Sequence, residues 1–417
     1  MLFHNIFVSY HSYMLKTLKV EELIIILFPL ILISRSFVLN FFLIIISVIF
    51  LYKIIKYKNF EVIKETWVLC FLFFWFYLIF ISYSADEKFA SFRSSFSQIR
   101  FFLFLLFIYQ FLNLKKNYNY FIFFWSLILV FFCLDMYLQY FTGKDIFNIQ
   151  IEISKSRVSG VFGKELIAGS YIAKLSAPLI FYFLYCLNSA SLKKKFFIYF
   201  FFILIFSSTL IANERLSLII ITSEFLIGSI IFTNKKNKLL ILLFVFLISI
   251  FLISSNNLIK TRMYSGYKTV LNFNSSSYAR IYSSAFIVWK KNILTGVGLK
   301  NYSIACKKLT DPDPSSDYSY CSPTHPHNLY LELLSETGLL GLIFFLTFNF
   351  YFFIFLKNKY NIYRNQMTNE LKAIFFGSIS FALITLFPLA TSGSFFTSWN
   401  ACFYWLHLGI AASLVKK

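Results

Sequence analysis

The long polar segment of this chain ends in the stretch Cys321-Ser-Pro-Thr-His-Pro-His-Asn-Leu-Tyr-Leu-Glu-Leu-Leu-Ser-Glu-Thr-Gly-Leu-Leu-Gly341. It carries two of the five histidines, His325 and His327. Pro326 suits the first turn of a helix, because its missing N–H has no intrahelical partner there. Most of the residues that follow are good helix formers. The sequence therefore predicts a short helix from Pro326 to about Glu336, with an imidazole at its start.

The predicted helix has recognisable ends and one apolar face. Thr324 or His325 stands near the N-cap, and Gly338 is placed to end the run. This arrangement holds an imidazole at the edge of a membrane beside a polar loop, which is a suitable place for chemistry. The alternative is an interfacial helix whose histidine only caps a loop, and the residues support both interpretations equally. The apolar face would carry His327, Tyr330, Leu331 and Leu334.

Composition places the chain among membrane proteins. Its 417 residues are 59% hydrophobic and 14% charged, whereas a soluble domain carries about 25% charged residues. Many apolar stretches reach or approach the roughly 20 residues that span a bilayer. We therefore predict an all-α polytopic membrane protein. Residues 1–20 are mixed in character and no clear cleavage site follows the first apolar run, so we expect no cleavable signal peptide.

The apolar runs predict about twelve transmembrane helices and one long loop. Residues 1–253 would hold nine spans, residues 254–336 a polar loop with short helices, and residues 337–417 three more spans. The predicted spans are 23–33, 37–52, 67–83, 101–112, 120–141, 166–187, 196–212, 216–232, 239–253, 339–356, 371–389 and 397–414.

The net charge of +21 agrees with this topology. If both termini are cytoplasmic, the lysine clusters of the short loops all fall on the cytoplasmic side, as the positive-inside rule requires. The loop 254–336 then faces outward, and long loops are translocated largely regardless of charge. This account explains the positive charge better than nucleic-acid binding does. The clusters lie at 16–19, 53–64, 115–116, 193–195, 235–238, 357–372 and 416–417.

Two of the six cysteines, Cys306 and Cys321, lie in the predicted outward loop. In an oxidising compartment they could form a disulfide. Together with His325 and His327 they nominally supply four zinc ligands, but this spacing fits no established zinc pattern. We therefore expect no metal at this position.

Three arginines are not explained by topology alone. Arg215 lies between two spans with almost no loop, where an arginine costs about 2.5–3.5 kcal/mol at membrane depth. Arg157 precedes Val-Ser-Gly-Val-Phe-Gly163, a loop able to bring backbone N–H groups near a ligand. Arg280 begins an amphipathic stretch that runs to Lys291. Guanidinium groups match phosphate oxygens, so the three arginines predict a diphosphate site. For each one, contact with lipid headgroups or the loop is the alternative.

The segment from Ser277 to Gly341 resembles the signature region of the O-antigen ligase and polymerase superfamily. It contains Ser277-Tyr-Ala-Arg280, then Trp289, the Gly-x-Gly turn of Gly296-Val-Gly298, and a His-Asn run that ends in Gly-Leu-Leu-Gly341. Positions around Arg157 and Arg215 also resemble family positions upstream. The chain departs from the family at Leu294-Thr295, where a proline is frequent, and at 162–166, where a Pro-Asn pair is frequent.

The resemblance implies a glycosyltransferase at the periplasmic face of a bacterial inner membrane. The donor would be a glycan on undecaprenyl diphosphate, and the acceptor would be lipid A–core for a ligase or another lipid-linked glycan for a polymerase. His327 would be the general base, an imidazole task. Arg215 and Arg280, with Arg157, would bind the diphosphate. His325 and Asn328 would lie around the base, and no metal or cofactor is implied.

Two other functions remain open from the sequence. A transporter, either a lipid-linked glycan flippase or a solute carrier, would suit twelve spans. The chain shows no internal repeat, although repeats are usual in transporters. A protein O-glycosylation ligase would share the His-Asn motif and differ in its acceptor.

Overall fold

The computed structural model describes residues 18–34, 36–58, 60–150, 157–310, 321–322 and 324–416, and these residues form a helical bundle. Helices are expected because a backbone in lipid must satisfy its own hydrogen bonds. Within the described residues there is no β-strand, and two isolated bridges join Lys144 to Gln150 and Asn328 to Thr391. The all-helical class predicted from composition is confirmed.

Seventeen α-helices are numbered here in chain order over the described residues. They are α1 Val20–Ile26, α2 Phe28–Ile33, α3 Ser36–Tyr57, α4 Thr66–Ile81, α5 Lys88–Ser97, α6 Ile99–Phe111, α7 Leu114–Thr142, α8 Ala168–Cys186, α9 Leu192–Ile211, α10 Arg215–Phe232, α11 Lys235–Ser255, α12 Asn257–Leu271, α13 Ser277–Lys291, α14 Tyr302–Thr310, α15 Leu329–Tyr363, α16 Asn369–Thr385 and α17 Ser398–Leu414.

Seven helical segments of the described chain are long and apolar enough to cross a membrane. This supports a multi-pass membrane protein, while the count of twelve spans stays a prediction. The seven segments are Ser36–Tyr57, Thr66–Ser84, Lys88–Phe111, Leu114–Thr142, Leu192–Ile211, Arg215–Phe232 and Leu329–Gln366.

The first predicted span, residues 23–33, is divided between two short helices. The helix α1 has seven residues and α2 has six, and Pro29 lies at the start of α2. Thirteen helical residues rise about 20 Å, which is less than the roughly 30 Å of the hydrocarbon layer. The lysine at position 16 in the first predicted cluster lies outside the described residues.

Aromatic side chains join the two membrane parts of the sequence in one core. The ring of Phe71 on α4 stacks on Phe102 of α6 at a centroid distance of 3.9 Å. Phe348 of α15 lies 5.6 Å from Phe71, and Trp405 of α17 lies 5.4 Å from Phe71. All four rings are buried or nearly so. Such aromatic pairs stabilise a core beyond the area that they bury. The helix α15, which follows the histidine motif, is therefore packed through Phe348 against α4 in this core.

Candidate functional site

The helix of the histidine motif begins later than predicted. Asn328 is the N-cap of α15, and its side-chain oxygen accepts hydrogen bonds from the N–H groups of Tyr330 and Leu331 at 3.0 and 3.1 Å. Asparagine is among the strongest N-cap residues. The predicted helix start at Pro326 is therefore wrong, because a better cap stands two positions later.

His327 lies before the helix, in a left-handed backbone conformation with φ +57°. The prediction that it shares a helical face with Tyr330, Leu331 and Leu334 is therefore wrong. Non-glycine residues rarely adopt this conformation, although histidine is among those that do so more often. It costs of order 1–3 kcal/mol and persists only where the surroundings impose it. Here the N–H of Ser392 donates to the His327 carbonyl at 2.9 Å. The turn, rather than a helix, sets the direction of the imidazole.

The connection 386–397 between α16 and α17 holds the histidine segment in place. The Asn328 amide donates to the Pro388 carbonyl at 2.7 Å. The Tyr330 hydroxyl donates to the Leu386 carbonyl at 2.6 Å. Sequence reasoning missed this contribution because the connection lies about sixty residues downstream. Its polar run Thr391-Ser-Gly-Ser394, placed between apolar runs, was a signal that could have marked it.

Glu332 is a buried carboxylate that ties the start of α15 to the same connection. It accepts hydrogen bonds from the Ser394 hydroxyl and from the Phe395 N–H, the latter at 2.8 Å. A carboxylate buried in this way requires such partners. The sequence by itself indicated no role for Glu332. In the structure it helps to fix the connection that contacts His327.

Gly338 ends the first helical stretch of α15, as predicted, and a second helical stretch follows the kink at this residue. Its φ is +69°. A Cβ at this position would lie 2.3 Å from the Leu294 carbonyl oxygen. The backbone groups released by the kink bond to the Gly-x-Gly segment. The Gly298 N–H donates to the Glu336 carbonyl at 2.8 Å, and the Leu339 N–H donates to Ile293 at the same distance. The two glycine motifs of the sequence thus form one close backbone contact.

The two imidazoles lie in contact, with ring centroids 4.2 Å apart and ring planes inclined at 58°. Both nitrogens of His325 have partners, the Thr324 hydroxyl at 2.8 Å and the Ser392 carbonyl at 3.3 Å. Among the described residues, the Nε2 of His327 has a long contact of 3.5 Å to the Ser322 hydroxyl, and the ring also interacts with the Ser392 backbone. Burial, with a smaller effect of His327, lowers the pKa of His325 to about 4. Burial also lowers the pKa of His327. His327 is the imidazole with more capacity for a new partner.

Arg215 begins α10 and points at α12. Its guanidinium donates to the Arg262 carbonyl at 3.0 Å and to the Ser265 hydroxyl at 2.5 Å. A Cβ at Gly266 would lie 2.9 Å from the Arg215 Nε, so glycine gives the guanidinium room. Arg262 in turn donates through Nε to the Asn213 carbonyl at 2.7 Å. Sequence reasoning missed Arg262, which adds a second guanidinium beside the Arg215 turn.

Arg157 is already paired within the protein. Its guanidinium lies 3.3 Å from a Glu214 carboxylate oxygen and donates to the Leu166 carbonyl at 2.7 Å. The predicted N–H groups of the glycine loop are also occupied, since Ser159 and Gly160 donate to the side-chain oxygen of Gln139 at 3.0 and 2.8 Å. The expectation that this loop offers N–H groups to a ligand is therefore wrong. This segment supports the Arg215 turn.

Tyr278 on α13 connects the histidine to the arginine turn. Its ring centroid lies 6.3 Å from that of His327, and its side chain lies in the vicinity of the Arg215 guanidinium. Arg280 lies two residues later on α13 and is exposed. The structure thus brings His327, Tyr278 and Arg215 into one neighbourhood. Arg280 lies on the same helix as Tyr278. Arg157 is paired with Glu214, the residue that precedes Arg215.

Cys306 and Cys321 are joined by a disulfide, with their Cα atoms 5.9 Å apart. The bond connects α14 to the residue that precedes Ser322, next to the histidines. Disulfide sulfurs are not the thiolates that bind zinc. Among the described residues, no group of three or more His, Cys, Asp or Glu side chains could hold a metal ion.

Fold and site together define a multi-pass helical membrane protein with a histidine held at the start of a long helix and arginines nearby. Residues 200–346 match the family model described as O-Antigen ligase. The match includes Arg215, Arg280, the disulfide and the histidine motif, and Arg157 lies outside it. This match confirms the predicted O-antigen ligase superfamily for the region 200–346. No curated protein matches the chain.

Proposed function

We propose that this protein transfers a glycan from undecaprenyl diphosphate to an acceptor hydroxyl at the periplasmic face of the inner membrane. Ligation of O-antigen to lipid A–core is the first candidate, and extension of a lipid-linked glycan is the second. The family match over residues 200–346 supports glycan transfer in general. The observation that carries the proposal is the placement of His327 beside Tyr278 and, through it, Arg215.

In the proposed reaction, the His327 imidazole removes the proton of the acceptor hydroxyl. The acceptor oxygen bonds to the anomeric carbon of the donor, whose bond to the diphosphate oxygen breaks. Undecaprenyl diphosphate leaves with the bond electrons, and nearby guanidinium groups stabilise its charge. Arg215 is the first candidate for this role, followed by Arg262, which lies beside it, and by Arg280 on α13. We assign no metal or cofactor, because these groups supply the base and the positive charge.

Two observations support an outward position for the site. The disulfide between Cys306 and Cys321 is of the kind that persists in oxidising compartments such as the bacterial periplasm. In the proposed topology, the lysine clusters of the short loops lie on the cytoplasmic side of the membrane, opposite the histidines. The twelve-span arrangement, with both termini in the cytoplasm, belongs to this proposal.

We expect a cysteine at Lys290 to be labelled by an impermeant maleimide in intact spheroplasts. Lys290 is exposed on α13 within the proposed outward loop, and Lys236 is exposed at the start of α11 in a proposed cytoplasmic cluster. Lys236→Cys should therefore react only after lysis, and the unsubstituted protein gives the background from native cysteines. Labelling of Lys290→Cys only after lysis would contradict the proposed topology.

Deletion of the gene is expected to remove O-antigen from lipid A–core while leaving the polymer on its lipid carrier at the periplasmic face. The measurement is electrophoresis of lipopolysaccharide together with analysis of the carrier-linked glycans. A polymerase would instead leave lipid A–core carrying a single repeat, which would favour the second candidate. Carrier-linked glycan confined to the cytoplasmic leaflet would indicate a flippase and contradict glycan transfer. Unchanged lipopolysaccharide with altered protein glycosylation would indicate a protein as the acceptor.

A further inference from the structure

A polar cavity of about 310 Å³ lies at the end of the bundle that is opposite the histidines. The helices α6 and α17 establish this position. Arg100, near the start of α6, donates to the hydroxyl of Ser398 at the start of α17, next to the connection that contacts His327. The other ends of the two helices are at Phe111 and Leu414. A helix of 17 residues separates its ends by about 25 Å. The cavity is therefore remote from the proposed reaction.

Positive charge dominates the wall of this cavity. Lys19, Lys116 and Lys416 line it, and the ammonium of Lys115 donates to the Lys416 carbonyl at 2.6 Å. Lys53 lies 5.0 Å above the ring of Phe111, which also lines the cavity, but its ammonium is paired with the Glu21 carboxylate and adds no unbalanced charge. Like charges repel, so this arrangement is favourable only when negative charge balances it.

Glu22 is the single acid among the described residues that line the cavity, and its oxygens already have partners. They accept hydrogen bonds from the Asn113 N–H at 3.1 Å, from the Asn117 side chain at 3.0 Å and from the Lys19 N–H at 3.2 Å. One carboxylate faces three lining ammonium groups. The wall can therefore accept a further anion.

The Lys416 ammonium is mostly buried and donates to the Gln110 carbonyl at 3.0 Å. Burial, together with Lys115 and Lys19 and against the opposing effect of Glu22, lowers its pKa to about 8. A bound anion would favour the charged form of this lysine.

We propose that this cavity binds the phosphate of an anionic phospholipid headgroup. The cavity lies where α6 and α7, both within candidate spans, end and begin, which is the level of the headgroups. Basic pockets between transmembrane helices on the cytoplasmic side bind such headgroups. The ring of Phe111 gives the wall an apolar part suited to the glycerol and the first acyl carbons. A lipid fits this mixed wall better than free phosphate does.

The test is native mass spectrometry of the full-length protein in detergent, titrated with phosphatidylglycerol or phosphatidylcholine. We expect phosphatidylglycerol to bind preferentially. The double variant Lys116→Gln/Lys416→Gln should bind it about 30-fold more weakly, because each lysine contributes about 1 kcal/mol to such attraction. Lys236→Gln is the matched control, since Lys236 is an exposed lysine that does not line the cavity, and it should bind as the wild type does.

Equal binding of the two lipids, or unchanged binding in the double variant, would overturn the proposal. Displacement of the lipid by inorganic phosphate at similar concentration would show a free-anion site and would also overturn it. Thermal unfolding in detergent without added lipid must show that the double variant is folded. If that variant is unfolded, the single substitution Lys116→Gln at an exposed position replaces it, with several-fold weaker binding expected.

Discussion

Replacing His327 by alanine is expected to lower the rate of glycan transfer by about 10²–10⁴-fold, the usual contribution of a general base. The imidazole is held by a left-handed turn that Ser392 stabilises, and among the described residues the contact of its Nε2 with Ser322 is long, at 3.5 Å. The turn therefore fixes the direction of the imidazole, while the long contact leaves its Nε2 able to accept a proton from an acceptor hydroxyl, as a general base requires. The measurement is transfer from an undecaprenyl-diphosphate glycan in membranes or with purified enzyme.

His325→Ala is the matched control and should have a smaller effect. Both nitrogens of His325 already contact the protein, at Thr324 and Ser392. Loss of His325 therefore removes packing against His327 without removing the proposed base. If His327→Ala accumulates normally and transfers glycan at the wild-type rate, the proposed catalytic role is wrong.

The pH profile gives an independent check of this role. Burial places the pKa of His327 below its ordinary value of about 6.5. A general base acts in its neutral form, so the rate is retained on acidification through pH 6.5. It should fall only as the pH drops through the lowered pKa. An acidic limb that begins above pH 6.5 would contradict the assignment of His327 in its buried site.

Replacing Glu214 by alanine is expected to destabilise the protein by about 3–5 kcal/mol, the cost of leaving one member of a buried ion pair alone. The side chains of Arg157 and Glu214 are only 17% and 9% exposed. Burial lowers the pKa of Arg157 and raises the pKa of Glu214, so each charge depends on the other. The substitution also leaves the Ser170 hydroxyl and the Gly169 N–H without their acceptor. The measurement is the thermal unfolding midpoint in detergent.

The double variant Arg157→Met/Glu214→Gln separates the charge effect from other effects. It removes both charges while keeping similar volume and an acceptor at position 214, so it should be more stable than Glu214→Ala. A double variant as unstable as Glu214→Ala would show that the ion pair is not the cause. Full activity of Glu214→Ala with normal stability would also show that Arg157 and its partner do not support the Arg215 turn.

The sequence alone determined the class of protein and the segment that carries its candidate site. Long apolar runs must form helices in lipid, whatever their neighbours, and this requirement is local. The matched family and the histidine motif are likewise contained in one continuous segment. Only tertiary structure decided how His327 is presented. The Asn328 cap and the connection 386–397 overrode the predicted helix start at Pro326, because their hydrogen bonds join residues about sixty positions apart.

The glycines and arginines also show which properties local sequence indicates and which ones tertiary contacts decide. Gly296 and Gly338 were visible as turn or end signals, but their purpose is a mutual backbone contact that no local pattern reveals. Arg157 and Arg215 were visible as charges in unusual places. Their partners decided their roles, since Glu214 neutralises Arg157 while α12 receives Arg215. Local sequence specifies which groups a chain carries, and distant contacts specify which of those groups keep capacity for a substrate. A buried polar group must be satisfied by whatever the fold brings to it.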